Sequence, residues 1–259
     1  MSTQSRIEWT EHTWNPIVGC TKVSPGCKHC YAEAMAHRLQ AMGAAGYEKG
    51  FSLRLRPEKL LEPLGRRKPT VYFVNSMSDL FHPKVPTAFI DQVFAVMNSA
   101  TWHVFQLLTK RPERMTSYFE RTRVANHIWI GTSVENRRHG VPRIAQLRAV
   151  NADTRFLSVE PLLEDIGAID LRGIAWVIVG GESGRGARPM EPAWARAVQR
   201  QCEETCTPFF FKQWGAHGSD GIRRSKQLNG RVLDGETWNQ MPHGLGIQDG
   251  RKLFANKSL

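Results

Sequence analysis

A chain of 259 residues with 41% apolar side chains is long enough to bury one large α/β core or two small ones. Its formal charge of +11 points to an anionic partner, because a soluble protein so basic usually meets phosphate or another polyanion. No stretch approaches the roughly 18 consecutive apolar residues of a membrane span, the opening residues carry no apolar signal core, and five cysteines, three of them clustered, make no disulfide framework. A cytoplasmic protein without membrane contact is expected.

In chain order, a first short strand is expected within Thr13 to Val18, and Gly19-Cys20-Thr21-Lys22-Val23-Ser24-Pro25-Gly26-Cys27-Lys28-His29-Cys30-Tyr31 follows it directly. Three thiolates can hold three irons of a four-iron cluster and leave the fourth open for chemistry. A structural zinc site is the alternative, with His29 or His12 as the fourth ligand. Zinc modules usually pair two ligand couples across a longer loop, whereas here one Cys-x2-Cys stands with a single cysteine seven residues upstream.

Tyr31 to Met42, rich in Ala, Glu, Met and Arg, predicts a helix, as do Val85, Phe89, Val93 and Met97 by their spacing and Pro192 to Arg200 with proline in the first turn. Apolar runs at 71–74, 103–108, 128–130, 155–159, 174–179 and 208–211 predict strands between them. That beat predicts an α/β protein, a partial or complete (β/α) barrel of parallel strands of the TIM type, with a doubly wound open sheet as rival. Cys202 and Cys206 lie four apart in the last expected helix, where buried apolar packing is the expected reading and a metal-catching pair the alternative. Domain boundaries are expected at 1–214 for the barrel and 215–259 for a Gly-rich extension, with Asn229-Gly230 and Asp234-Gly235 as turn signals of a hairpin.

Polar residues follow each strand at once: Asn75-Ser76-Met77-Ser78-Asp79, Thr109-Lys110-Arg111, Gly131-Thr132-Ser133-Val134-Glu135-Asn136, Glu160-Pro161, Gly180-Gly181-Glu182-Ser183 and Lys212-Gln213-Trp214. In a parallel barrel such strand ends converge on one mouth, where the cysteine loop is also expected. Capping of the next helix is the alternative for Asn75, Asp79 and Asn136. Glu135, Glu160 and Glu182 are stronger site candidates, since a carboxylate just inside a strand end needs a partner or a ligand, and Lys212 is their cationic counterpart. The Gly180 to Gly186 run lacks the Gly-x-Gly-x-x-Gly spacing of a dinucleotide fingerprint, although its backbone amides suit a carboxylate or phosphate.

The Cys-x6-Cys-x2-Cys segment, Tyr31, the helix after it and the βα repeats resemble radical S-adenosylmethionine (SAM) enzymes. More closely, Trp14-Asn-Pro, Cys20…Cys27…Cys30-Tyr31, Asn75-Ser-Met-Ser-Asp-Leu-Phe81, Leu108-Thr-Lys-Arg-Pro112, Gly131-Thr-Ser-Val-Glu135, Ser158-Val-Glu-Pro161, Gly180-Gly-Glu-Ser183 and Phe211-Lys-Gln-Trp214 resemble a phage-associated three-Cys-motif family, over residues 7 to about 215. The loop departs from the commonest radical SAM pattern, Cys-x3-Cys-x2-Cys, by three residues. The resemblance implies a 4Fe-4S cluster on Cys20, Cys27 and Cys30 whose open iron chelates SAM, with reductive cleavage giving a 5′-deoxyadenosyl radical that abstracts hydrogen from substrate. It implies Tyr31 beside adenine, Asn75, Ser76 and Asp79 at the methionine end, Ser133 and Glu135 at ribose, and Lys110 or Arg111 at the SAM carboxylate or an anionic substrate. Glu182 is also counted toward the cofactor, without the amino-group role that a Gly-Gly-Glu after an earlier strand plays in such enzymes. Lys212 and Glu160 are expected on the substrate side as catalytic residues. The function expected is a radical SAM enzyme acting on a nucleic acid or nucleotide and served by a reducing electron-donor protein. A non-catalytic, zinc-stabilised nucleic-acid-binding protein is the alternative.

Overall fold

The computed structural model describes residues 3–5, 7–242, 245–248 and 251–254. The rest of the expected C-terminal extension, 243–244, 249–250 and 255–259, lies outside the described residues. The chain divides into two compact units, one running to Gly131 with Ala149–Asp153, the other made of Thr132–Arg148 and the chain from Thr154 onward.

In the first unit, β1 (Thr3–Gln4) pairs antiparallel with β2 (His12–Trp14), and β2 runs parallel to β5 (Val71–Val74), which runs parallel to β6 (Val104–Thr109). Asn15 and Pro16 interrupt the single strand expected over 13–18, because proline restricts the residue before it and donates no ladder bond. The continuation, β3 (Ile17–Val18), pairs instead with β4 (Arg54–Leu55) in a separate two-stranded ladder that leads into the cysteine loop. After the loop comes α1 (Tyr31–Ala41), whose Ala32 and Ala36 pack with Val18, Tyr47 and Met77. Crossovers α2 (Thr87–Ser99) and α3 (Pro112–Tyr118) lead to β6 and to β7 (Ile128–Ser133), the strand in which the unit boundary falls. Strand β5 is buried at all four positions, as expected of a parallel strand covered on both faces. Tyr72 stacks on Phe105 with ring centroids 5.6 Å apart at the centre of this core.

The second unit begins in β7, continues through α4 (Pro142–Ala149) and holds the parallel strands β8 (Arg155–Val159), β9 (Trp176–Gly180) and β10 (Phe209–Gln213), with α5 (Pro192–Glu204) crossing from β9 to β10. Helix α5 buries Ala195, Val198 and Cys202. It ends at Glu204, and Cys206 is exposed in the left-handed region with φ 52°. The two cysteines therefore share no helix face, and apolar packing holds for Cys202 alone. Gly180 and Gly181 are dictated by close approach: a Cβ on them would stand 2.4 Å from Glu160 Oε1 and 2.0 Å from the Trp214 carbonyl oxygen.

Residues 231–240 close over the outer edge of β10. Phe211 N–H donates to Trp238 O and Gln240 N–H to Phe209 O, which satisfies backbone groups that an edge strand leaves open. The Arg231 guanidinium sits 4.7 Å from the Phe210 ring centroid. Leu233 and Glu236 exchange backbone hydrogen bonds around Asp234 and Gly235, both at positive φ, the two-residue hairpin turn that Asp-Gly signals. Beyond α6 (Lys226–Asn229), β11 (Leu245–Gln248) and β12 (Arg251–Phe254) pair as an antiparallel hairpin.

The full strand order is β1-β2-β5-β6-β7-β8-β9-β10, in which seven strands are parallel. Each new parallel strand is added on the same side of the last. A doubly wound sheet would reverse direction at a switch point, so this order is that of a partial (β/α) barrel, open between β1 and β10. No helix among the described residues is long and apolar enough to cross a membrane.

Candidate functional site

The cysteine loop leaves the β3–β4 ladder at Gly19, where the backbone has φ 81° and a Cβ would meet the Ser52 carbonyl oxygen at 2.2 Å. Gly19 N–H donates to Met77 O and Cys20 N–H to Phe51 O, which pins the loop start beside the end of β5. Cys20, Cys27 and Cys30 are all free thiols of intermediate exposure; Cys27 closes a short 3-10 turn and Cys30 is the residue before α1. Ser24 Oγ lies 3.8 Å from Cys27 Sγ. Burial pushes the Cys20 thiol pKa up and Asp79 adds to the shift, while Arg111 opposes it.

Arg111, the residue before α3, is the hub of this region. Its Nη1 donates to Cys20 Sγ at 3.4 Å and to Asp79 Oδ2 at 3.0 Å, and its Nη2 donates to the Thr21 carbonyl at 2.9 Å and to Thr21 Oγ1 at 3.0 Å. Asp79 also accepts from Thr109 Oγ1 at 2.7 Å and from the backbone N–H groups of Phe81 and Lys110. A carboxylate with four donors, one of them a guanidinium, is fixed in place. His82, its imidazole pKa lowered by burial and by Arg111, accepts at Nδ1 from Lys84 N–H and therefore presents Nε2–H to Thr21 Oγ1, 2.9 Å away.

Asn75 ends β5 with φ 59°, and both polar atoms of its buried side chain lack a hydrogen-bond partner. Ser76 donates to Asn15 Oδ1, and its carbonyl accepts from the Tyr31 hydroxyl. The Tyr31 side chain itself is exposed. Helix α2 begins at Thr87 after Pro86, so neither Asn75 nor Asp79 caps it.

In the second unit the carboxylates meet cations. Glu135, fully buried, receives Arg143 of α4 at 2.7 and 3.4 Å, and Arg143 also donates to the Ser133 carbonyl. Glu182 takes two side-chain bonds and the backbone N–H of Arg188. Asn136 accepts from His139 N–H in a local turn before α4. Glu160 and Lys212 form a single contact of 3.0 Å with side chains 12% and 20% exposed, and Ser158 Oγ donates to the other Glu160 oxygen at 3.1 Å.

Sequence reasoning grouped Asn75, Ser76, Asp79, Lys110 and Arg111 at adjoining strand ends, and the first unit brings Asp79, Thr109 and Arg111 to the cysteine loop. It did not anticipate Arg143 and Arg188 as the partners of Glu135 and Glu182. Arg188, six residues after Glu182, is a signal that a turn-minded reading of the Gly-rich segment would find; Arg143 carries none. Among the described residues no group of three His, Cys, Asp or Glu side chains stands close enough to hold a metal ion as it is arranged. The donor set nevertheless fits an iron–sulfur cluster in its chemistry: three unoxidised thiols, all partly accessible on one loop, with a guanidinium on the first sulfur. His12 lies in β2 with its ring beside Tyr72.

Solved structures of spore photoproduct lyase are similar in fold. They include a complex with dinucleoside spore photoproduct (13% identity, TM-score 0.46), a mutant with bound AdoMet and dinucleoside spore photoproduct (13%, 0.45) and a cysteine-to-serine mutant (12%, 0.49). Each match covers 79% of this chain, and the chain spans about 64% of the length of those proteins. No curated protein matches it. A family model matches residues 4–242, nearly the whole chain, and the protein belongs to that family, described as "Protein of unknown function (DUF5131)".

Proposed function

We propose that this protein is a radical SAM enzyme of the phage-associated three-Cys-motif kind, with Cys20, Cys27 and Cys30 holding a 4Fe-4S cluster and a nucleic acid or nucleotide as substrate. The observation that carries the reading is a loop of three free cysteines that leaves the antiparallel β3–β4 ladder and is pinned at its start beside the end of the parallel strand β5, with Arg111 hydrogen-bonded to the first of them. The chemistry supplied by such a cluster when bound is one-electron reduction of the sulfonium of SAM with cleavage of a C–S bond.

The chain's own residues prepare for that chemistry in definite ways. Asp79, Thr109 and Arg111 hold the loop start. The orphaned Asn75 amide offers a donor and an acceptor to a polar ligand, since a buried unsatisfied amide costs about 1–3 kcal/mol until it is paired. Tyr31 presents an exposed aromatic face for an adenine ring. Lys212 and Glu160 offer a cation and a carboxylate joined by a single contact, able to turn toward a substrate group. A reducing partner protein supplies the electron.

The basic balance supports an anionic substrate. Arg67, Lys68, Arg138 and Arg223 are exposed, whereas Arg123, Arg137 and Arg224 in the same basic clusters are paired with Asp153, Asp165 and Asp220. The test is anaerobic reconstitution with iron and sulfide, then dithionite and SAM. The protein should turn brown and release 5′-deoxyadenosine, and a variant with all three cysteines changed to alanine should do neither. A colourless zinc protein with salt-sensitive nucleic-acid affinity would establish the non-catalytic alternative instead.

A further inference from the structure

We infer that Arg111 is a positioning residue for Cys20: it fixes the first cysteine of the loop and supplies a permanent cationic donor to its sulfur, and it is not a receptor for the SAM carboxylate or a substrate anion. The inference rests on the cluster reading above and assigns Arg111 a role different from the one its sequence position implies.

Donor capacity is the first argument. A guanidinium has five N–H groups, and Arg111 directs its two terminal nitrogens at Cys20 Sγ, Asp79 Oδ2, Thr21 O and Thr21 Oγ1. An incoming carboxylate or phosphate would need the same fork. Charge is the second. Asp79 lies 3.0 Å from Nη1, so the pair carries little net charge to attract an anion, and Arg111 is only 8% exposed. The third is mechanical. Thr21, Lys22 and Val23 are exposed, and Arg111 ties this stretch to the end of β6 through both the backbone and the side chain of Thr21. Thr21 Oγ1 is further held by His82, whose carbonyl accepts from Arg114, so Arg111 and, within α3, Arg114 together brace the loop.

An N–H donor aimed at a ligand sulfur stabilises the more negative, reduced state of an iron–sulfur centre and raises its potential. A lysine keeps the charge and loses the planar fork. The two contributions can therefore be separated by substitution.

The experiment uses the full chain, reconstituted anaerobically, as wild type, Arg111→Lys, Arg111→Gln, Thr21→Val and the double variant Arg111→Gln/Asp79→Asn, which leaves no unpaired buried charge. Iron per chain and the midpoint potential from a mediated EPR titration are read for each. Arg111→Gln and the double variant should load several-fold less iron, and the cluster they retain should have a lower potential. Arg111→Lys should load poorly but hold a potential near wild type, and Thr21→Val should lower loading alone. Wild-type loading and potential in both Arg111→Gln and the double variant would overturn the assignment, as would equal potentials in the Lys and Gln variants.

A wild-type chain that takes up no iron would defeat the cluster reading separately. The Arg111 contact is then read on the metal-free protein, by iodoacetamide modification at a pH where all three thiols are ionised. Cys20 should react several-fold faster in Arg111→Gln while Cys27 and Cys30 keep their wild-type rates; an unchanged Cys20 rate overturns the inference.

Discussion

The buried arginines of the two units are used in opposite ways. In the second, Glu135 with Arg143 and Glu182 with Arg188 are closed pairs, each carboxylate answered by a guanidinium from the same unit. In the first, Arg111 is divided between a carboxylate, a hydroxyl, a carbonyl and a half-buried thiol, and Asn75, at the end of β5, has no hydrogen-bond partner for its amide. Closed pairs of this kind hold elements together, whereas under the proposed function a shared cation and an unsatisfied buried amide are where a ligand would be held. Glu160 with Lys212 stands between the two cases: its carboxylate is answered by a lysine, at 3.0 Å, where the closed pairs use a guanidinium.

That contrast is most sharply broken at Glu135. Changing Glu135→Gln strands the Arg143 guanidinium in the interior, and urea unfolding should show a loss of about 3–5 kcal/mol, the usual cost of breaking a buried ion pair by removing one partner. A loss below about 1 kcal/mol would mean that the pair is not structural. Gly19→Ala comes next. It forces a side chain into the left-handed region and against the Ser52 carbonyl, so about 1–3 kcal/mol should be lost together with iron loading.

A pH titration separates another pair of buried groups from the ion pairs. His82 and His103 have pKa values lowered chiefly by burial, so below the unfolded value of 6.5 the unfolded chain takes up protons that the folded chain refuses. Stability should therefore fall as pH drops through 6.5 toward the lowered folded values, and His103→Gln should flatten part of that slope. A slope unchanged in the variant would contradict the assignment. The smallest effect on stability is expected at Lys212→Met, about 1–2 kcal/mol because the Ser158 hydroxyl still holds one oxygen of the Glu160 left behind, while turnover of substrate should collapse. Comparable losses at Lys212 and Glu135 would erase the distinction between open and closed pairs.

Much of the fold was legible because buried parallel strands are continuous apolar runs: 71–74 and 155–159 are strands with the expected bounds, and 128–130 extends to Ser133. Two-residue strands such as β1 and β4 have no period to read, and the break at Asn15-Pro16 splits an apparent strand into two sheets. The left-handed turns at Asn75 and Cys206 are invisible to periodicity, since neither residue is glycine. In the candidate site, residue types at strand ends were readable because a polar group there needs a reason. Which cation answers which carboxylate was not, because Arg143 and Arg111 reach their partners through tertiary packing that spacing along the chain does not encode.

The vacant iron is the claim most open to direct measurement. Mössbauer spectroscopy of the wild-type chain reconstituted with iron-57 should show one iron subsite that changes on addition of SAM while the other subsites stay as they were. A spectrum that SAM leaves untouched, or a protein that holds zinc in place of iron, would contradict the account.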